Sequence, residues 1–467
     1  MTAASSGRER SKKEDEEDKL RDEDDKEINI LYDKESPEKP SSKTILNKLG
    51  PGIITGASDA DPSGIATYSQ AGAQFGFGMA WLVLVLYPMM TVVQEMCARI
   101  GLVTGSGLGA IIKQKYSRRV IFPLTSLLLI ANTINIGTDI GAMAASIRLV
   151  FPHLPVIVAT LSFTAFIILS EVFVPYSKYV KILKYLILSL FAYVATAIIV
   201  GGNWNQILNS VLTPHVEFTP AYAMMFVPVV GTTISPYLFF WQASEEAEED
   251  VTKHKIKEIG SKHKPRISKK EIKSMRQDTA IGMAFSQLIM WSILITTAGS
   301  LHAHGVTDIQ TADQAAKSLQ PLVKTFPQAG EISKTIFALG VIGTGLLAIP
   351  VLAGSSGYAL SDAFGWSEGL GKQFKQAKGF YLVIAASTLI GLWINFINID
   401  PIRALVYTAV INGLIAVPIL FAVMKIANDK KVLRDDTNNR VSNVIGWLTF
   451  VMMGVSAIIM FVTWGKQ

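Results

Sequence analysis

Apolar residues in this chain fall into long runs separated by short polar connections. Eleven runs can be read, over about 46–75, 79–100, 121–150, 156–174, 182–200, 221–244, 280–300, 332–354, 380–397, 404–426 and 444–464. Each is near the ~20 residues that an α-helix needs to cross hydrocarbon. Two runs are interrupted in the middle, the first by Asp61-Pro62-Ser63-Gly64 and the sixth by Gly231-Thr232-Thr233-Ile234-Ser235-Pro236-Tyr237. Lipid offers no partner to a freed backbone N–H or C=O, so a break at membrane depth survives only where those groups line a cavity or hold a substrate. The two breaks occupy equivalent places, the first members of spans one to five and six to ten. That pattern predicts an all-α polytopic membrane protein with an inverted 5+5 repeat, broken helices 1 and 6, and an eleventh helix outside the repeat, as in secondary transporters that bind substrate near the midplane. The expected division is 44–201 for the first repeat, 220–427 for the second and 441–465 for the last helix, within a transmembrane domain of 44–465.

Composition supports the class: the chain has 467 residues, 50% of them hydrophobic and 17% charged, with a mean hydropathy of +0.36. Much of the charge is crowded into a few segments. Residues 1–43 are dense in Lys, Arg, Asp and Glu and read as a disordered cytoplasmic tail. Residues 245–278 read as a charged, solvated cytoplasmic connection. Lys and Arg collect in alternate connections, among them Lys113, Lys115, Arg118 and Arg119, then Lys178, Lys181 and Lys184, then the run from Lys253 to Arg276. The other set offers only Arg148, Lys317, Lys324, Lys334 and Arg403. By the positive-inside rule the N-terminus is cytoplasmic and the C-terminus extracytoplasmic. The net charge of +6 therefore reflects basic cytoplasmic loops facing a lipid bilayer, and no nucleic-acid partner is expected. The single cysteine, Cys97, excludes an intramolecular disulfide and reads as a small apolar residue near a helix end. The six histidines all fall in loops or at span edges, which leaves no imidazole inside the membrane to bind a soft metal or carry a proton.

Asp61 is the first candidate, because a carboxylate in hydrocarbon is expensive and marks a functional site by default. Pro62 cannot donate to the helix ladder, and Ser63 and Gly64 weaken it, so the chain should unwind here and turn carbonyls toward a cavity. In the sixth span Pro236 does the same beside Thr232 and Ser235. All the ligands these breaks offer are hard oxygens, suited to a cation. Ordinary proline kinks, with hydroxyls bonded back to their own helices, are the alternative.

Several stretches resemble the Nramp divalent-metal transporters: Gly50-Pro51-Gly52, Asp61-Pro62, the run from Gln70 to Gly76, and Gln94 with the run from Ala98 to Gly105. The similarity extends over about 45–465. It implies the LeuT/APC-like fold shared with bacterial amino-acid transporters and a binding site made from the first and sixth helices. The departures narrow it further. Family members read Asp-Pro-Gly-Asn in the first break, whereas this chain has Gly64 in place of the asparagine. In the sixth helix the family frame of Ala, two variable residues, then Met-Pro-His falls on Thr232, Ser235, Pro236 and Tyr237. A soft thioether thus becomes a hydroxyl, and the histidine associated with proton transfer becomes a phenol that stays neutral at physiological pH. In the third helix, where the family often carries two acids, this chain has Asp139 and Ile136.

The pattern is similar to the Nramp-related magnesium transporters. It implies a wider, harder site that takes partly hydrated Mg²⁺, and also Mn²⁺, by alternating access without proton coupling. The expected metal ligands are Asp61, Gly64, Thr232 and Ser235, with Ser63, Tyr237, Asp139, Thr408 and Asn412 as further candidates around the site or along the path. Asp139 could equally be a structural partner of Arg148, and Asn132, Asn135 and Thr138 could bond neighbouring helices. Glu95, near the inner end of the second span, could touch the ion or serve the interface. No cofactor beyond the transported ion and no enzymatic activity are expected. The expected protein is a monomer in the bacterial cytoplasmic (inner) membrane. The competing readings are a proton-coupled Mn²⁺/Fe²⁺ importer and an amino-acid or polyamine transporter on the same fold. A receptor or scaffold would need a sizeable soluble domain.

Overall fold

Proline at the first position of a helix loses nothing, because its missing N–H would have had no partner there. Both interrupted spans use this. Helix α1 (Pro51–Asp59) ends at Ala60, Asp61 adopts an extended conformation (φ −75°, ψ 170°), and Pro62 starts α2 (Pro62–Phe75). Helix α9 (Pro220–Thr233) ends at Ile234, Ser235 is extended (φ −84°, ψ 130°), and Pro236 starts α10 (Pro236–Thr252). The same short grammar of one extended residue followed by proline thus breaks both helices.

The computed structural model describes residues 50–174, 188–200, 204–261, 264–396 and 400–464. The charged tail, the start of the first span, Lys178, Lys181 and Lys184 with the start of the fifth span, and the last residue of the ninth lie outside the described residues. Every regular element described is helical. The others are α3 (Leu82–Thr104), α4 (Leu108–Lys115), α5 (Arg118–Val150), α6 (Val156–Phe173), α7 (Phe191–Val200), α8 (Trp204–Leu212), α11 (Lys269–Ser300), α12 (Ala312–Lys317), α13 (Gln320–Val323), α14 (Ala329–Phe364), α15 (Lys378–Ile394), α16 (Pro401–Ala427), α17 (Lys430–Leu433) and α18 (Arg440–Trp464), with short 3₁₀ turns between some of them. Eight of these segments, counting α9 with α10 as one, are long and apolar enough to cross a bilayer, and α15 is a shorter apolar helix.

The broken helices sit inside the bundle, α1 and α2 against α11, and α9 against α16, while α5 packs along α14. Glycine sets the closest approaches. A Cβ on Gly56 would stand 2.1 Å from the Gly282 carbonyl oxygen, and one on Gly231 would stand 2.2 Å from that of Ala409. Backbones in lipid associate through such small-residue contacts.

The charged segment 245–278 differs from the solvated connection expected from composition. Helix α10 runs eight residues past Ser244 to Thr252, with Glu246 and Asp250 buried. At the other end Ser268 and Glu271 form a reciprocal cap that starts α11 eleven residues before the apolar run. Lys255 joins the two, 3.0 Å from Asp250 and 2.5 Å from Glu271. Burial would lower the Lys255 ammonium, but these carboxylates override it and hold its pKa above the ordinary value. An apolar window ends where charge begins; the helices continue because these charges are paired.

Candidate functional site

The site grows from Asp61. Its Oδ1 accepts the Gly64 backbone N–H at 2.7 Å, capping α2, and the Ser63 hydroxyl at 2.7 Å. Its Oδ2 accepts from Tyr237 OH at 3.4 Å and from Asn135 Nδ2 at 3.5 Å. Those last two are at the outer limit of a hydrogen bond, so Oδ2 is the oxygen that can turn to a cation with the smaller loss. The Ser63 and Thr232 hydroxyls lie 3.4 Å apart, which brings the two breaks together. Tyr237, fully buried, also donates to the Ser58 carbonyl at 3.3 Å and so ties the start of α10 to the end of α1. The two half-helix C-termini, α1 and α9, carry the negative ends of their dipoles, and carbonyls freed at such ends suit a cation.

The other expected ligands are placed differently. Ser235 donates its hydroxyl to the Gly231 and Thr232 carbonyls of its own helix, at 3.1 and 2.8 Å, as an ordinary kink would have it. At Gly64 the space expected from the loss of a side chain is already filled. A Cβ there would meet Met290 Cε at 2.4 Å and its Sδ at 3.1 Å, so the methionine of α11 occupies the room and puts a thioether beside the break. Asp139 lies on α5 one turn beyond Asn135, fully buried, with neither oxygen hydrogen-bonded and no ion pair to Arg148 among the described residues. On α16, Thr408 is bonded back to Leu405, whereas Asn412 is buried with both amide atoms unpartnered, beside the Gly413 that packs on Gly231. Asn132 joins helices, donating to Leu352 and Ser356 of α14.

Glu95 belongs to a separate network, at the end of the bundle that carries the basic connections. It accepts from Arg99 at 3.1 Å and from Arg276 at 2.8 Å, and Arg99 also donates to the Asp436 carbonyl and the Asn438 side chain. Toward the other end, a cavity of about 10 Å³, the room of one water, lies between Pro62, Ser69, Ala142, Ile309, Phe337 and Ile402. Above it Gln70 is fixed to the loop after α11, donating to Thr307 O at 3.2 Å and accepting from Ile309 N at 2.8 Å.

Two groups went unread in the sequence. Asp59, two residues before Asp61, is 2% exposed and accepts the Ser286 hydroxyl through Oδ2, while its Oδ1 has no partner. The signal was present, since any aspartate inside an apolar run is a candidate. Met290 gave none, because an isolated methionine in an apolar helix looks like packing. Among the described residues no group of three or more His, Cys, Asp and Glu could hold a metal ion.

The chain is 26% identical over 419 residues to the divalent metal cation transporter MntH of Klebsiella pneumoniae (strain 342), covering 88% of this chain and 93% of that one. Its fold superimposes on the Eremococcus coleocola manganese transporter, solved with an aromatic bis-isothiourea substituted compound, with a TM-score of 0.70 at 17% identity over 91% of this chain and 89% of the other. A more distant match is MhsT in complex with L-phenylalanine, with a TM-score of 0.60 at 11% identity over 91% of this chain and 100% of that one. The fold is thus that of the LeuT-like transporters. The model of the family described as Nramp, natural resistance-associated macrophage protein-like, matches residues 52–463, and the chain belongs to that family.

Proposed function

We propose that this protein is a secondary transporter that imports divalent metal ions by alternating access, chiefly partly hydrated Mg²⁺ and also Mn²⁺, without coupling to protons. The observation that carries the reading is the set of groups around Asp61: a carboxylate, the hydroxyls of Ser63 and Thr232, the amide of Asn135 and the phenol of Tyr237. Mg²⁺ dehydrates reluctantly and is usually held by one or two carboxylates while keeping several waters. Mn²⁺ accepts the same oxygens and, at the weak end of the Irving–Williams order, can leave again. In the resemblance to the family Tyr237 falls on the histidine associated with proton transfer, and a phenol does not titrate in the physiological range. The relatives named above as divalent-metal and manganese transporters support the substrate class. The basic connections, by the positive-inside rule, support a cytoplasmic N-terminus and an extracytoplasmic C-terminus.

One observation favours a second reading. The Met290 thioether beside Gly64 could serve a softer ion, as expected of a proton-coupled Mn²⁺/Fe²⁺ importer. Proteoliposomes holding a Mg²⁺-sensitive dye, with a pH dye in a parallel sample, separate the two. Saturable Mg²⁺ entry without lumenal acidification supports the hydrated, uncoupled site. Mn²⁺ entry with acidification and no Mg²⁺ signal selects the second reading.

A further inference from the structure

Asp59 is the last residue of α1, and everything about its position argues against keeping a carboxylate there for stability. It is 2% exposed, it sits at the negative end of a helix dipole, and only Ala60 separates it from Asp61. No lysine or arginine pairs with it among the described residues; its one hydrogen bond is from the neutral hydroxyl of Ser286 on α11. Its Oδ1 has no hydrogen-bond partner. A buried carboxylate beside a second one either takes up a proton or is held charged by a cation that joins them, and a site that binds cations offers the second course. We infer that Asp59 is a second cation-contacting carboxylate of this site, which receives the water shell of a hydrated divalent ion while Asp61 makes the closer contact.

The division of labour follows from the bonds each carboxylate already makes. Asp61 is oriented by four donors and meets both breaks, so it can hold an ion directly. Asp59 is set back at the end of α1, held through one oxygen by Ser286, with the other free to accept the O–H of a metal-bound water. An outer contact of this kind discriminates by hydration. An ion that enters with its water satisfies both carboxylates; one that sheds its water leaves Asp59 uncompensated. The inference rests on the proposal that Asp61 holds the transported ion, and the test separates the two.

The experiment is Mg²⁺ uptake by the full chain in proteoliposomes, with and without cobalt(III) hexaammine, whose N–H shell presents the donors of a hydrated ion without exchanging them. Cobalt(III) hexaammine should inhibit the unaltered protein, and Asp59→Asn should raise the KM for Mg²⁺ about 10-fold or more and remove most of that inhibition. Asp59→Glu, which keeps the charge, should retain it. Ser286→Ala leaves the carboxylate in place and frees its second oxygen, so hexaammine should inhibit at about threefold lower concentration; this arm stands even if Asp59→Asn does not fold. An unaltered protein insensitive to hexaammine, an Asp59→Asn protein with unchanged KM and inhibition, or a Ser286→Ala protein with unchanged inhibition overturns the role of Asp59. Uptake that survives Asp61→Ala overturns the ion site itself, whatever Asp59 does.

Discussion

The hydroxyls of Ser63 and Thr232 stand 3.4 Å apart, although 169 positions separate them in the chain. Each belongs to a different break, so this contact closes the interval between the two half-helix pairs next to Asp61. Ser63 also donates to Asp61 at 2.7 Å, which makes it the link through which the sixth span senses the carboxylate. Ser63→Ala should therefore raise the KM for Mg²⁺ about 10-fold, in the range found when partners of a metal ligand are removed. Thr232→Val should have a smaller effect, and the double variant less than the sum of the two, because the residues share one contact. Additive effects in uptake assays would mean that the hydroxyls act separately.

Tyr237 makes two long bonds, 3.3 Å to Ser58 and 3.4 Å to Asp61, and long bonds contribute little. Tyr237→Phe should keep Mg²⁺ uptake within about threefold of the unaltered protein and leave the lumenal pH signal flat. Tyr237→His is the informative partner. Its imidazole, placed against Asp61, would gain a proton as pH falls through ~6.5 and put a positive charge where the ion binds. Uptake by that variant should fall as the medium is acidified across this range, while the unaltered protein stays level. A level response from both variants would show that position 237 does not face the ion.

Arg99 is completely buried, and Glu95 supplies its only carboxylate among the described ion pairs. Breaking a buried pair leaves an uncompensated charge at a typical loss of 3 to 5 kcal/mol, roughly, so Glu95→Gln should lower the melting temperature of the purified protein sharply. Arg276, whose side chain is 47% exposed, holds the same carboxylate from outside, and Arg276→Ala should change stability by no more than about 1 kcal/mol. Equal losses from the two variants would show that burial does not set the difference.

Lys255 offers a pH-dependent contribution with a defined sign. Its carboxylate partners hold its pKa above the ordinary lysine value in the folded protein, so its stabilisation is complete below the unfolded value of ~10.4 and fades as pH rises through the folded one. Lys255→Met should therefore melt earlier than the unaltered protein, and the margin should narrow as pH rises into the alkaline range. A margin that did not narrow there would assign the stabilisation to another group.

The parts of this molecule legible in the sequence are those set by residues acting alone. Pro62 and Pro236 each follow a residue that leaves the helix, and Asp61 is conspicuous in any apolar run, so both breaks and the buried carboxylate at the first could be read directly. The helix ends past Ser244 and before Ala280 could not, because an apolar window stops at the first cluster of charge, whereas the chain pairs Lys255 with Asp250 and Glu271 across two helices. The direction of the Ser235 hydroxyl is not legible for a related reason: near a break it can face the cavity or its own turn, and only the rotamer decides. The filling of Gly64 by Met290 depends on two segments 226 positions apart. No local pattern carries it.

That contact yields the sharpest test of what the glycine is for. An asparagine at position 64 would drive its Cβ to 2.4 Å from Met290 Cε, and the amide beyond it would need the volume the thioether now holds. Gly64→Asn alone should thus destabilise the protein by about 1 to 3 kcal/mol of overpacking and depress uptake of every ion. Met290→Ala alone opens a cavity beside Asp61 and should lower stability by about 2 to 5 kcal/mol. Together the two substitutions exchange volume for volume, so the double variant should recover much of both losses, a coupling readable in melting temperatures. Its uptake then separates packing from ligation. If Met290 only fills space, the double variant should carry Mg²⁺ and Mn²⁺ in nearly the original ratio, and Met290→Leu should do the same without the second change. If the thioether touches the ion, Met290→Leu should selectively lose Mn²⁺ and Cd²⁺, because a soft sulfur contributes to those ions and almost nothing to Mg²⁺.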